Sequence, residues 1–206
     1  GNRHANFAVQ NADLIISLGS RLDTKSTGSP VNTFAREAKK IMIDIDINEL
    51  NKFQYFDLKF DQLIHCDLKD FFNNISKLES SKDTSNNLEW LKQINKWKHQ
   101  FISFDDTKGI ATTQVNPYNF VDSISNNLKG NEQIFIDTGC SIAWFMQSLR
   151  VKDKVRVFHD FNNTAMGWAL PAAIGGYYAS LKHQSPIIAI VGDGSFMMTS
   201  YELATV

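Results

Sequence analysis

Apolar residues along the chain follow two rhythms. Largely apolar runs at 13–18, 41–46, 63–66, 133–137, 155–158 and 187–191 have the length and the β-branched or aromatic content of strands, those at 13–18 and 187–191 buried ones, and each ends in or gives way to Gly, Asp or His. Between them the spacing changes to three and four residues. Leu88, Leu91, Ile94, Trp97 and Phe101 predict an amphipathic helix over 88–104, with its Trp residues in packing. Asn116-Pro117 opens another, with Phe120, Val121, Ile124 and Leu128 as its buried face and Gly130 at its end. Further helices are expected at the first residues (Ala5, Phe7, Ala8, Val9), at 34–39 and 49–53, and over 68–78 with Asp67 as N-cap. Another runs from Ser141 to about Arg150, and a last one carries Met198, Tyr201, Glu202 and Thr205.

Strands alternating with helices imply parallel βαβ units, so the expected fold is α/β with two Rossmann-like, doubly wound parallel-sheet domains. The polar stretch ESSKDTSNN at 79–87 has no large apolar residue and is the linker candidate. The expected division is a domain over 1–79, a linker over 80–87 and a second domain over 88–206. Gly1 enters a helix without an initiator Met and Val206 stops inside one, so the chain reads as a piece of a longer protein with both domains incomplete.

Composition narrows the partners. Of 206 residues 43% are hydrophobic, enough for a real core, and the net charge is -1 with no long basic run. That argues against nucleic acid or an anionic membrane as the main partner. No apolar stretch is long enough to span a bilayer, and the first residues do not read as a signal peptide. Cys66 and Cys140 stand alone, which points to a reducing compartment, by default the cytoplasm, and to no disulfide or metal framework.

The candidate chemistry sits where strands end. Gly192-Asp193-Gly194-Ser195 follows the run at 187–191 and precedes a helix. Glycines there let a backbone approach a ligand, N–H groups at a helix start favour phosphate, and Asp193 can hold a divalent cation. The same letters also suit a tight turn with a capping Asp or Ser. Asp137-Thr138-Gly139-Cys140-Ser141 repeats the pattern after 133–137, and the Ala/Gly run after Met166 permits close helix packing or close approach to a ligand. In the first half, Gly19, Arg21 and Asp23, then Asp44 and Asp46, then Asp67 fall at three strand ends. Along one sheet edge they would suit a dinucleotide, with Arg21 on a diphosphate and Asp44 on a ribose; equally, the Asp residues could cap helices and pair Arg21. No Gly-x-Gly-x-x-Gly follows the first strand, so a standard NAD fingerprint is absent.

Taken together, Asp137-Thr138-Gly139, the segment Ala165-Met166-Gly167-Trp168-Ala169-Leu170-Pro171-Ala172-Ala173, and Gly192-Asp193-Gly194-Ser195-Phe196 with Glu202-Leu203 resemble the diphosphate-binding domain of thiamine diphosphate enzymes of the acetolactate synthase and pyruvate oxidase type. Ala5-Asn6, Leu18-Gly19-Ser20-Arg21-Leu22-Asp23, Thr27-Gly28, Phe34-Ala35 and Ile43-Asp44-Ile45-Asp46 resemble that family's central domain, so the likeness covers nearly the whole chain.

The resemblance implies that Asp193 ligates Mg²⁺ and that Gly139, Cys140, Ser141, Gly192, Gly194 and Ser195 bind thiamine diphosphate through its diphosphate. Cys140-Ser141 stands where the family often has Gln-His, a departure in side-chain chemistry. Met166 matches the wedge that bends the cofactor. Thr164 stands where a main-chain carbonyl receives the aminopyrimidine, a position often glycine in the family. Gly19, Arg21, Asp23, Asp44 and Asp67 align with FAD contacts, although Lys25 replaces an arginine; relatives hold FAD, ADP or nothing there. The implied reaction is carbanion catalysis on a 2-oxo acid, as in an acetolactate synthase large subunit making 2-acetolactate from pyruvate. A decarboxylase or oxidase of the same superfamily, or a non-catalytic nucleotide-binding module, are the alternatives. The implied activating glutamate lies upstream of Gly1 and a second Mg²⁺ ligand, Asn, beyond Val206, so no catalytic residue is expected in these residues and no turnover from them alone. Glu202 belongs to the diphosphate-domain helix and is not that glutamate. The parent protein is expected to be a homodimer or homotetramer.

Overall fold

The computed structural model describes residues 2–77, 85–101, 115–181 and 185–206, in two compact units, Gly1–Ile102 and Ser103–Val206. Each unit contains a three-stranded parallel sheet with helical crossovers, the Rossmann-like α/β architecture expected from the alternation of strand and helix.

In the first unit the elements are α1 (Arg3–Gln10), β1 (Leu14–Leu18), α2 (Thr24–Thr27), β2 (Lys39–Asp44), α3 (Ile47–Asn51), β3 (Gln62–His65), α4 (Leu68–Ile75) and α5 (Ser85–Gln100). Strand order is β1-β2-β3, with Leu18 opposite Ile43 and Asp44 opposite His65, so all three carboxyl ends share one edge. Met42, Leu50, Phe53 and Phe34 close the core. Asp67 caps α4 by accepting from the Lys69 N–H at 2.7 Å, as its place before an apolar run predicted.

Three expectations change here. Residues 34–39 form no helix: Phe34 and Ala35 are buried in the core, and Ala35 has a φ of 42°, a left-handed backbone that no helix continues. Lys39 already belongs to β2. Asp46 is not strand but the N-cap of α3, accepting from the Asn48 N–H. And β1 is only half-buried: it lies at the edge of the described sheet, with Leu14, Ile16 and Leu18 exposed and Ser17 inward. The linker expected at 80–87 falls mostly outside the described residues. α5, read from sequence as the start of the second domain, is grouped with the first unit and packs on α1, with Phe7 stacked against Phe101 at 5.2 Å and tilted against Trp97.

The second unit contains α6 (Pro117–Asn127), β4 (Gln133–Ile136), α7 (Cys140–Ser148), β5 (Arg156–His159), α8 (Ala169–Ala179), β6 (Ile187–Ile190) and α9 (Asp193–Thr199), followed by a 3-10 turn, Ser200–Thr205. Asn116 caps α6 through the Tyr118 and Asn119 N–H groups, but Phe120, expected on the buried face, is 45% exposed. Its ring meets Phe145 of α7 edge-on, with centroids 6.5 Å apart.

Strand order is β5-β4-β6. All four residues of β4 are buried, and they alternate: Ile134 and Ile136 join Val121, Ile142 and Phe145 on one face, while Phe135 joins Ala169 and Ala173 on the other. Helices therefore cover both faces of this sheet. Before β4 the Glu132 carboxylate, buried, accepts N–H groups of Lys129, Gly130 and Asn131. Burial works to raise its pKa, but these backbone hydrogen bonds outweigh it and hold the group below its ordinary value.

Candidate functional site

With β4 central, β5 on one side and β6 on the other, the chain reverses its direction of strand addition between β4 and β6. That reversal opens the crevice in which open α/β sheets hold ligands, outside the strands' carboxyl ends. Ile136 pairs with Ile190, and the Asp137 N–H donates to the Ile190 carbonyl at 2.9 Å, so the loops leaving β4 and β6 start side by side.

Into this crevice the fold brings most of the residues singled out from sequence. Gly139 is the N-cap of α7 with a φ of 87°, a conformation that favours glycine, and the space where its Cβ would stand is open. Cys140 and Ser141 begin α7; the Cys140 thiol is exposed and Ser141 half-buried. Gly192 is the N-cap of α9, Asp193 its exposed first residue and Ser195 buried. Asp193 Oδ1 accepts from the Gly194 N–H at 2.8 Å. Met166 is 53% exposed, and its Cε lies 3.6 Å from where a Cβ on residue 194 would stand. The methionine thus reaches from the segment before α8 over the glycine turn that opens α9. Thr164 has a φ of 55°, left-handed and unusual for a β-branched residue, and its N–H donates to the Asp160 carbonyl at 2.8 Å.

Two residues have partners that the sequence motifs did not name. Gly167, with a φ of 80°, is pressed against α9: a Cβ there would stand 3.0 Å from Thr199 Cγ2 and 3.3 Å from the Ser195 carbonyl oxygen. Asp137, read as part of a phosphate-binding cluster, is 1% exposed and spends its carboxylate on backbone N–H groups, among them Ala169 at 2.8 Å. Neither role leaves a mark in local sequence, because both depend on segments about thirty positions apart.

No group of three or more His, Cys, Asp or Glu side chains converges to hold a metal among the described residues. A Mg²⁺ ion needs less from the protein, since it keeps several waters and takes one or two carboxylates plus phosphate oxygens. Exposed Asp193 beside an open glycine turn fits that demand.

In the first unit the strand-end residues are already partnered. The Gly19 N–H donates to the Ile43 carbonyl, and a Cβ on Gly19 would come within 3.2 Å of Leu68 Cδ1, so this turn abuts the start of α4. Arg21 pairs with Glu49 at 3.0 Å, not with an Asp, and Lys52 donates to the Arg21 carbonyl. Asp44 accepts from the Asp46 N–H and Asp23 caps α2, accepting from the Ser26 N–H and hydroxyl. Burial opposes the charge on Asp23, yet the hydrogen bonds from Ser26 and Lys25 prevail and keep its pKa below the ordinary value. Beside α2 a polar cavity of about 400 Å³ is lined by Asn6, Gln10, Lys25, Ser26, Thr27 and Thr33, among others.

Comparison with known proteins converges on the same two regions. Residues 1–75 match the thiamine pyrophosphate enzyme central domain, and residues 137–206 match the thiamine pyrophosphate enzyme C-terminal TPP binding domain. Over 208 residues the chain is 33% identical to the acetolactate synthase large subunit of Cyanidium caldarium, covering all of this chain and 34% of that protein. It is 32% identical to the acetolactate synthase large subunit of Lactococcus lactis subsp. lactis, covering 99% of this chain and 33% of that one. It is also 32% identical to a probable acetolactate synthase large subunit of Methanocaldococcus jannaschii, over all of this chain and 34% of the relative. The chain spans about a third of the length of these relatives.

Proposed function

Because the chain belongs to the thiamine pyrophosphate enzymes, we propose that the β4–β6 crevice anchors Mg²⁺ and thiamine diphosphate in a carboligase that joins 2-oxo acids, as pyruvate to 2-acetolactate. The observation that carries this reading is Met166 reaching over Gly194 at the strand-order reversal. A diphosphate on the glycine turns leaves the heterocyclic part of a cofactor to meet a bulky apolar side chain, and half-exposed Met166 lies over Gly194.

Each residue then has a task. Gly139, Gly192 and Gly194 leave the backbone open to phosphate oxygens, and Ser195, Cys140 and Ser141 line the same turns. Asp193 supplies the carboxylate for Mg²⁺. Met166 props the cofactor, and Thr164, two residues upstream, presents a main-chain carbonyl. When bound, thiamine diphosphate supplies the carbanion chemistry at the 2-oxo acid, and the protein contributes orientation and electrostatics.

On the first unit we place a nucleotide, FAD or ADP, along the edge formed by Gly19, Arg21, Asp23, Asp44 and Asp67. Among the described residues the Arg21 side chain is held by a half-exposed ion pair with Glu49, which leaves it available to a diphosphate. The protein is proposed to act as a homodimer or homotetramer; Met197, Met198 and Tyr201, strongly exposed just after the cofactor turn, support a subunit contact there. The free thiols of Cys66 and Cys140 suit a reducing compartment such as the cytoplasm. Among the described residues no helix is long and apolar enough to cross a membrane.

The test supplies the intact protein with pyruvate, Mg²⁺, thiamine diphosphate, FAD and inorganic phosphate in air and follows product by mass spectrometry. 2-Acetolactate is expected. Acetaldehyde or acetyl phosphate without 2-acetolactate would instead make it a decarboxylase or oxidase.

A further inference from the structure

We propose that Asp137 is a positioning residue that sets Met166 over the cofactor turn, an inference that rests on the cofactor reading of the β4–β6 crevice. Asp137 is 1% exposed, and burying a carboxylate is costly unless its oxygens are bonded. Here they are bonded three times. Oδ1 accepts from the N–H groups of Thr138 at 3.0 Å and Gly167 at 3.3 Å, and Oδ2 accepts from Ala169 at 2.8 Å. The residue's own N–H is tied to the Ile190 carbonyl at the end of β6. One residue therefore registers the loop leaving β4, the last pairing of β6 and the segment that enters α8.

That segment is clamped on both sides of Met166. Upstream, Asp160 holds Thr164 through its carbonyl at 2.8 Å and Ala165 through its carboxylate at 3.4 Å. Downstream, Gly167 is bonded to Asp137 and pressed against Ser195 and Thr199 of α9. Met166 itself is flexible and half-exposed, so the aim of its side chain derives from the backbone on either side. Trp168, the N-cap of α8, offers no side-chain cap, and Asp137 does that work from another element. A purely structural cap would account for the Ala169 bond. The Gly167 bond, one residue from Met166, is the part that links Asp137 to the ligand.

The two roles separate by ligand. The glycine turns would hold inorganic diphosphate with Mg²⁺ as well as the cofactor, but only the cofactor has a part that meets Met166. In Asp137→Asn an NH₂ faces a backbone N–H where an acceptor stood. Calorimetric titration of the intact protein in Mg²⁺ should show thiamine diphosphate weakened at least about tenfold and inorganic diphosphate by less than about threefold. Equal losses for both ligands, or no loss for either, would overturn the proposal. Met166→Ala should reproduce the selective loss, and adding Asp137→Asn to it should cost little more; fully additive losses would also overturn it. If circular dichroism shows Asp137→Asn unfolded, Gly167→Ala disturbs the same segment from the α9 side and carries the same expected and overturning results. Failure of the unsubstituted protein to bind thiamine diphosphate overturns the cofactor reading itself, and this proposal with it.

Discussion

Gly176 of α8 lies against the tip of the Phe135 ring of β4, so that a Cβ on residue 176 would collide with Phe135 Cζ and stand 2.8 Å from Cε2. Phe135 is in turn stacked on Phe158 at 4.8 Å and cannot retreat freely. Gly176→Ala should therefore lower stability by about 1–3 kcal/mol through overpacking, despite the better helix propensity of alanine. Chemical denaturation measures this, and pairing it with Phe135→Leu should recover part of the loss. A stability gain from Gly176→Ala alone would contradict the contact.

Glu132 makes stability depend on acid. Its folded-state pKa lies below the ordinary 4.5, so its contribution is complete above that value and is lost as pH falls from about 4.5 through the folded-state value. Glu132→Gln should be less stable at neutral pH by about 1–3 kcal/mol, because one acceptor oxygen facing backbone N–H groups is gone. It should also lose less stability than the native protein as pH falls below about 4.5, where the native carboxylate's contribution fades. Urea titrations across that range compare the two slopes.

At Thr164 the left-handed backbone costs a β-branched residue about 1 kcal/mol or more. Thr164→Gly should raise the melting temperature or leave it unchanged, the relief being offset by glycine's greater unfolded-chain entropy. A clear fall in melting temperature would mean the side chain contributes more than its backbone costs. Thiamine diphosphate affinity should stay within about twofold, since the proposed contact there is a main-chain carbonyl.

For Asp193 the expectation is a ligand effect without a stability effect. The residue is exposed and, among the described residues, its carboxylate accepts only from the neighbouring Gly194 N–H, so Asp193→Asn should alter stability of the cofactor-free protein by no more than about 0.5 kcal/mol. Titration of Mg²⁺ in the presence of thiamine diphosphate should show affinity reduced at least about tenfold, one carboxylate ligand being lost. Unchanged Mg²⁺ dependence would remove Asp193 from the metal site.

Arg21→Ala separates a nucleotide contact from a surface ion pair. The pair with Glu49 is half-exposed and worth about 0–1 kcal/mol, so stability should change little. Binding of FAD or ADP, followed by fluorescence or calorimetry, should weaken about tenfold if Arg21 meets the diphosphate. Unaltered nucleotide affinity would reduce Arg21 to its pairing with Glu49.

Local sequence was enough for most of the scaffold. Asp67 and Asn116 cap helices because a short acceptor before an apolar periodic run can reach the first free N–H groups. The apolar runs became strands because β-branched residues pack on a pleat, and parallel pairing followed from helices intervening between them. Glycine turns after β4 and β6 were legible for the same reason, each sitting at a strand's carboxyl end.

What remained hidden depends on contacts between distant positions. Residues 34–39 have helical letters, but burial of Phe34 and Ala35 in the core bends the backbone out of the helical region. Phe120 fits the spacing of a buried face, yet its exposure is decided by how α6 lies on α7. Asp137 looked like one more polar group at a strand end. Only the return of residues 167–169 to the end of β4, about thirty positions later, makes it a buried acceptor, because hydrogen-bond partners are set by distance in space. The sequence by itself thus determined the strands, the helix caps and the glycine turns, whose causes are local. The order of strands and the seat of Met166 over Gly194 were decided by the tertiary structure, since each is a relation between segments that no local preference encodes.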